Sequence, residues 1–539
     1  MRIMRILAVL LPATGVALLA QTNDLEPATP NHDAAATNSS AAARTNAWEY
    51  TLPQPGAVTT NALPAAQTNA PAPNVRQLSL QDCIQLALQH NLDLQIDRYN
   101  PQIALFSLNA AYGGYDPSFV FSGQHDRSET APTVFGTNIF AGQVSDDNSF
   151  NSSLGGLSPW GTTYSLQGNA IDSYGNFPEY SSGSASITVR QSLLKNLWID
   201  STRLTIRIGK NRVKYSELGL KWQIMQTVTT LEQAYYDLIY DRENLIVQQK
   251  AVQLAERLVA ENRKKLEVGA LAPLDLESAE AQAAQSQAAV IAAQSQLGTQ
   301  ERLVKKFITD NFAAWADIVL EPSGKLEATH QIFNRQDSWS KGLTQRPDLL
   351  QAKLDVEKQG IQLKFDRNQL FPQLDLFGTY GYNGQGKEFS DALYDIQQMD
   401  QRFYTYGGQI TIPLANISAR NTYKSSKATL QQLLLTLKQA EQNVMITIDN
   451  DIGTIQANYE QVLATRAARQ YAEAALNAEE LKLQNGKSTV YTVLQMQRDL
   501  TTARGNEIQA LDTHDKSVAQ LSLDEGSTLD RLKIDWHVE

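Results

Sequence analysis

The stretch LKWQIMQTVTTLEQAYYDLIYDRENLIVQQKAVQLAERLVAENRKKLEV, residues 220–268, decides the fold. Within it Ile224, Leu231, Leu238, Leu245, Val252, Val259 and Leu266 recur at a spacing of seven, which keeps one stripe of an α-helix against a partner over many turns. Neither Gly nor Pro interrupts the pattern, whose helical character begins at about Ser201. A helix of roughly 65 residues is about 100 Å long at 1.5 Å per residue. An ordinary globule has no room for it.

Residues 269–273 break the helix, and the pattern restarts over residues 274–303, where Ala279, Ala283, Ala284, Ala288, Ala292 and Ala293 permit close helix approach. The two segments predict a long helical hairpin, which taken alone fits a soluble antiparallel coiled coil. Upstream the texture changes. Between Pro117 and Leu194 the chain is rich in Gly, Ser, Thr and aromatics, with period-two alternation at Phe119 and Phe121 and again at Ile187 and Val189. Such alternation predicts short strands joined by polar loops. Trp160, Tyr164, Tyr174, Phe177 and Tyr180 suit either an interfacial aromatic girdle or ordinary strand and loop positions.

The whole arrangement occurs twice. A helix over residues 80–111 leads into Tyr115-Asp116-Pro117 and a strand; a helix over residues 346–369 leads into Leu370-Phe371-Pro372 and the strand of Leu374 and Leu376. A second strand follows in each copy, at residues 186–189 and 409–414, and then a long helix, with Ile448, Ile452, Ile455, Tyr459 and Val462 at three-four spacing in the second. Leu266-Glu267-Val268-Gly269 has its counterpart in Leu483-Gln484-Asn485-Gly486. The first copy holds the longer strand-to-strand segment, and insertion there suits an exposed loop. Residues 122–184 and 378–407, Gly-, Ser- and Asp-rich and without basic clusters, are therefore expected at the outer end of the strands.

The rest of the chain narrows the class. Arg2 and Arg5 precede an apolar run that reaches Ala20, which makes residues 1–20 a secretory signal, cleaved after Ala17 or Ala20. Residues 21–76 are Ala, Thr, Asn and Pro with hardly a large apolar side chain, a composition that cannot offset its ordering entropy, so a disordered leader is expected. After it no run of 18 apolar residues occurs. A membrane-borne mature chain would have to cross as a closed β-barrel. The single cysteine, Cys83, excludes an internal disulfide and reads as a buried, inert thiol. A net charge of −11 without basic clusters excludes a nucleic-acid partner.

No chemistry of an enzyme is legible. The six histidines are scattered, without HExxH or Cys-rich spacing, so no metal is expected, and no nucleophile elbow, phosphate loop or dinucleotide fingerprint is present. Glu277 and Glu280 share a helix face, where such pairs are usually solvated. Catalytic residues and cofactors are accordingly expected to be absent.

The segment Leu78-Ser79-Leu80-Gln81-Asp82-Cys83-Ile84-Gln85-Leu86-Ala87-Leu88 with Asn91, the Tyr115-Asp116-Pro117-Ser118-Phe119 turn, Gln191-Ser192-Leu193-Leu194 and the Gly269 and Gly486 breaks resemble the TolC-like outer-membrane efflux proteins over about residues 77–530. The resemblance implies a mainly α chain of two tandem repeats, 77–310 and 346–530, joined by an equatorial segment 311–345 and ending in a tail 531–539. It implies a homotrimer in which each chain gives four strands to one barrel, continued by a helical tunnel across the periplasm. Residues 146–172, around Pro159-Trp160-Gly161, fit a further hairpin, and the sequence leaves open whether it joins the barrel or decorates it.

The implied partners are outer-membrane lipid, a periplasmic adaptor and an inner-membrane pump, and the implied role is a passive conduit for efflux or type I secretion. Val268-Gly269-Ala270 and Asn485-Gly486-Lys487 then stand where such proteins meet the adaptor. The family's aspartate ring would fall on Thr492 and Gln495 and its gate arginine on Ser488, so the ring is missing; Asp275 keeps the matching aspartate, and Lys487 could replace the arginine in a Lys487–Asp275 clamp. The competing expectation is a secreted periplasmic coiled-coil scaffold.

Overall fold

The computed structural model describes residues 74–534 apart from 141, 176, 177, 270 and 271. The signal segment, Ala270, Phe177 and residues 535–539 of the tail lie outside the described residues. So does the leader, except that β1 (Asn74–Leu78) takes its last three residues into a strand.

Ser79 then caps α1 (Leu80–His90) in a reciprocal box with Asp82, which is why the helix starts there. The expected single helix to residue 111 is three pieces, α1, α2 (Leu92–Asp97) and α3 (Tyr99–Tyr112). The first break lies at Asn91, which is buried in extended backbone and caps α2 by accepting from the Leu94 amide at 3.0 Å. Cys83 is buried on α1, and burial pushes its thiol up to about 12. That is the inert thiol expected.

Six strands follow: β2 (Ser118–Glu129), β3 (Thr133–Phe135), β4 (Asn138–Phe140), β5 (Val144–Leu157), β6 (Thr162–Gly175) and β7 (Tyr180–Ser192). Asp200 caps α4 (Ser201–Glu267), whose 67 residues match the heptad segment. The glycine turn leads into α5 (Pro273–Ile308), with proline at its first position. Residues 311–345 hold α6 (Phe312–Trp315), β8 (Ile318–Pro322) and α7 (Arg335–Gln345). Then come α8 (Pro347–Asn368), β9 (Gln373–Gly386), α9 (Phe389–Gln398), β10 (Gln401–Thr411), α10 (Ile417–Gln484), α11 (Val490–Asp524) and α12 (Thr528–Arg531).

The main sheet has the order β10-β9-β7-β6-β5-β2, antiparallel throughout; β1 pairs in parallel with β8, and β3 pairs antiparallel with β4. Four strands per chain were implied; the sheet has six, because the hairpin β5–β6 lies between β2 and β7. Its turn, at Pro159-Trp160-Gly161, points back to the helical end, where Gly161 approaches the Arg203 side chain. Residues 122–184 are therefore not one outer loop. Ser152 sits mid-sheet opposite Phe121 and Gly168, and Trp160 and Tyr164 lie at the opposite end of the sheet from Tyr174 and Tyr180. Likewise residues 378–407 are strand, helix and strand, with α9 between β9 and β10.

The main core gathers Leu220, Ile224, Met225, Val228, Leu231, Tyr235 and Leu238 of α4 against α1, Val304 and Ile308 of α5, and Leu320 of β8. The heptad stripe does not stay buried to the end. Leu245, Val259 and Leu266 are half-buried, whereas Ala255, Leu258 and Asn262 are buried. An α-helix drifts about 20° per heptad against a strict seven-residue repeat, and over 67 residues other side chains take up the contact. Of the six alanines, Ala279 and Ala293 are buried and Ala283 is half-buried; Ala284, Ala288 and Ala292 face outward.

Candidate duct and its two ends

The strand register sorts the main sheet into two faces. On one lie Phe119 and Phe121 of β2, Phe150 and Leu154 of β5, Tyr164 and Leu166 of β6, Ile187 and Val189 of β7, Leu376 and Tyr380 of β9, and Tyr404 and Ile410 of β10. The other carries Ser122 and Gln124, Ser149 and Asn151, Ser165 and Gln167, Ser186 and Thr188, Thr379 and Asn383, and Thr405 and Gln409. Such alternation divides an apolar medium from water. Arg190 reaches Asp375 at 3.3 Å on the polar face, where Ser192 also donates to Asp375 at 2.9 Å. Two rings, Phe377 and Phe403, lie there over Gly407 and Gly381.

All strand ends that join the long helices, at Ser118, Ser192, Gln373 and Thr411, lie at one end of the sheet. At the other end α9 rests on the apolar face. Ile396 packs over Gly183 and Gly384, Ala392 is buried against Gly384, and Phe389 meets Phe150 edge-on at 5.6 Å. A side chain at Gly384 would stand 2.0 Å from the Ala392 carbonyl, so only glycine allows this contact.

The far ends of the helices form two tips. Gly269 and Gly486 have φ of 72° and 69°, with nothing within 4 Å of where a Cβ would sit, and their amides close the turns onto Leu266 at 2.9 Å and Leu483 at 3.1 Å. Both glycines directly follow the helix C-caps Val268 and Asn485, which are exposed, as is Lys487. Of the sequence-predicted gate residues, Ser488 donates to Glu479, Thr492 gives its amide to Thr489 at 3.3 Å, and Gln495 donates to Asp499 at 3.0 Å. All three bonds are local to the second hairpin. Asp275 lies in the first turn of α5 and Lys487 after the second tip, and among the described residues neither makes an ion pair. Val490 and Val493 are buried against Leu258 and Leu476, while the neighbouring Tyr491 is 69% exposed.

A charged layer lies in the middle of the helices, and the sequence reading missed it. Glu232, fully buried on α4, is held by Arg531 and by the Tyr236 hydroxyl at 3.0 Å. Lys516 bridges Asp237 and Asp512, the latter at 2.8 Å. Arg346 joins Asp524 at 2.8 Å and stacks on Trp222, and burial, with the Asp524 charge next, pushes Asp451 up to about 7. Burial raises Asp241 and Asp512 to about 6. Glu280 is also accounted for, by a 2.8 Å ion pair with Arg263 that ties α4 to α5. The described residues hold no group of three His, Cys, Asp or Glu able to bind a metal, and no helix among them is long and apolar enough to cross a membrane.

A two-faced sheet mounted on helical hairpins is also the order of elements in one known group. The sequence profile described as outer membrane efflux protein matches residues 160–307 and 339–523, more than half of the chain. The chain belongs to the outer membrane efflux protein family. It is 23% identical over 348 residues to the outer membrane efflux protein BepC of Brucella suis biovar 1 (strain 1330), covering 63% of this chain and 71% of BepC. Its fold is similar to that of the Campylobacter jejuni CmeC outer membrane channel (TM-score 0.60, 16% identity, 83% of this chain and 86% of that one). The outer-membrane channel OprN (TM-score 0.64, 15% identity, 83% and 90%) and VceC of Vibrio cholerae (TM-score 0.61, 16% identity, 83% and 96%) are similar too. As a member of this family of passive conduits, the efflux protein is an outer-membrane channel that extends into the periplasm and not an enzyme.

Proposed function

We propose that three copies of this efflux protein assemble into one duct, a β-barrel in the outer membrane continued by a helical tunnel through the periplasm, built from an internal duplication. The observation that carries the proposal is the sheet itself. One chain's sheet is apolar on one face and polar on the other yet open at both outer strands, and in lipid such edges must be joined. The apolar residues Leu435, Ile446, Leu463 and Tyr471 left exposed along α10 support a neighbouring copy there.

The cargo is delivered by an inner-membrane pump through a periplasmic adaptor that meets the tips at Val268, Gly269 and Ala270 and at Asn485, Gly486 and Lys487. Positive φ and empty space around both glycines favour tip-to-tip contact. Gly269→Trp should abolish efflux-dependent resistance while the amount of trimer stays unchanged; full resistance in that variant would overturn docking at this tip.

The gate lies between copies. Because Asp275 and Lys487 have no ion pair among the described residues, a Lys487–Asp275 clamp would join neighbours, with Thr492 and Gln495 at the positions of the aspartate ring and Ser488 at that of the gate arginine. An exposed Lys–Asp pair contributes about 0–1 kcal/mol, repeated three times. Asp275→Ala and Lys487→Ala should each raise conductance in planar bilayers, and the double variant should add little. Unchanged conductance in both single variants would leave Tyr491 as the closure.

A further inference from the structure

We propose that the three copies close into a barrel of eighteen strands, six from each chain, with β10 of one copy antiparallel to β2 of the next. The inference rests on the trimeric duct proposed above and departs from the four strands per chain that the family resemblance implies. β5 and β6 are integral to the sheet: β5 is paired with β2 from Val144 to Gly155, and β6 with β7 from Thr162 to Ser173. They carry the same alternation as their neighbours, with Phe150, Leu154 and Leu166 on the apolar face and Ser149, Asn151 and Gln167 on the polar one. A hairpin that decorated the outside of a twelve-stranded barrel would have no reason to keep that register, since a slip of one residue inverts every side chain.

The two outer strands suit each other. β2 has 12 residues and β10 has 11, and with six antiparallel strands the first and last run in opposite directions. The next copy therefore presents an edge of the right length and direction, with its apolar face on the same side. Barrel diameter grows roughly linearly with strand number, so eighteen strands enclose a lumen about half as wide again as twelve would. The hairpin adds nothing to the helices, and the tunnel stays as it is. It follows that the tunnel, and not the barrel, limits the size of the cargo, and the outer mouth accepts hydrophilic solutes too large to pass the whole duct.

Native mass spectrometry and single-particle imaging of the full chain in lipid nanodiscs test both levels. Three copies with eighteen strands are expected. Three copies with twelve strands and β5–β6 outside would overturn this inference and leave the trimeric duct standing, whereas another copy number would overturn both. Neutral polyethylene glycols of graded size give a second measure in planar bilayers. From the extracellular side they should penetrate to a larger size than from the periplasmic side. Deletion of residues 131–177 should lower the extracellular cut-off diameter by about a third and leave the periplasmic one unchanged; an unchanged extracellular cut-off in a folded trimer would overturn the wider barrel.

Discussion

Single residues carry two kinds of information in this chain, and only the local kind can be read in advance. The Ser79–Asp82 box and the Gly269 and Gly486 caps depend on neighbours within a few positions, whereas the burial that makes Cys83 inert comes from packing across the core and is read only from the usual burial of cysteine. Glu232 depends on Arg531, 299 residues away, and neither of its neighbours, Leu231 and Gln233, signals that partner. Arg531→Ala should leave a fully buried carboxylate with only Tyr236, at a cost toward the lower end of about 3–5 kcal/mol because Arg531 is itself partly exposed. Chemical denaturation in detergent would read it, and Arg531→Lys should recover part. Asp451 makes a pH-dependent contribution of definite sign. Its carboxyl rises from 3.8 unfolded to about 7 folded, so the folded state holds the extra proton and stability falls as pH rises between those values. Asp451→Asn should raise the melting temperature at pH 8 and leave it nearly unchanged at pH 4; an equal gain at both would show that the carboxylate charge is not the cause.

At the scale of elements, periodicity located α4 to within about a residue at each end and the start of α5 to within one, but it placed the end of α5 at 303, five residues short. It did not locate α9. Residues 378–407 look like a polar outer loop, yet Phe389, Ala392, Leu393 and Ile396 recur at helical spacing inside it, and Gly183 and Gly384 clear the surface beneath. Gly384→Leu should force α9 off the sheet at a cost of about 1–3 kcal/mol, as overpacking of a close contact does. Proteolysis within residues 387–400 of the assembled protein should then quicken, with the trimer intact. Gly342 plays a similar part between α7 and α10: an added Cβ would stand 2.6 Å from Ile448 Cδ1. Gly342→Ala should cost less than Gly384→Leu, about 0–1 kcal/mol, because a side-chain methyl and not a carbonyl must give way and alanine favours the helix.

For the whole molecule, the number of strands was the least legible quantity. Residues 146–172 alternate whether they sit inside the sheet or form a separate ribbon, and only pairing across the sheet, at Phe121 with Ser152 and Leu166 with Ile187, distinguishes the two. The exposed side of α10 raises the corresponding question for assembly. α4 buries 20 of its 67 residues within the chain and α10 only 6 of its 68, so most of α10 awaits a partner. Ile446→Asp with Leu463→Asp should convert trimers to monomers on a sizing column, while far-ultraviolet circular dichroism keeps the helical signal. Trimers that persist would place the subunit contact elsewhere.

The turn at Pro159-Trp160-Gly161 has an electrical consequence. It brings the added hairpin down to the start of α4, so the widening spans the full height of the sheet. Tunnel and barrel then behave as resistors in series, and the wider one contributes little to the total. Substitutions on the polar face, even of Arg190 or Asp375, should change the single-channel current far less than substitutions at the hairpin tips, and ion selectivity should be written in the periplasmic half.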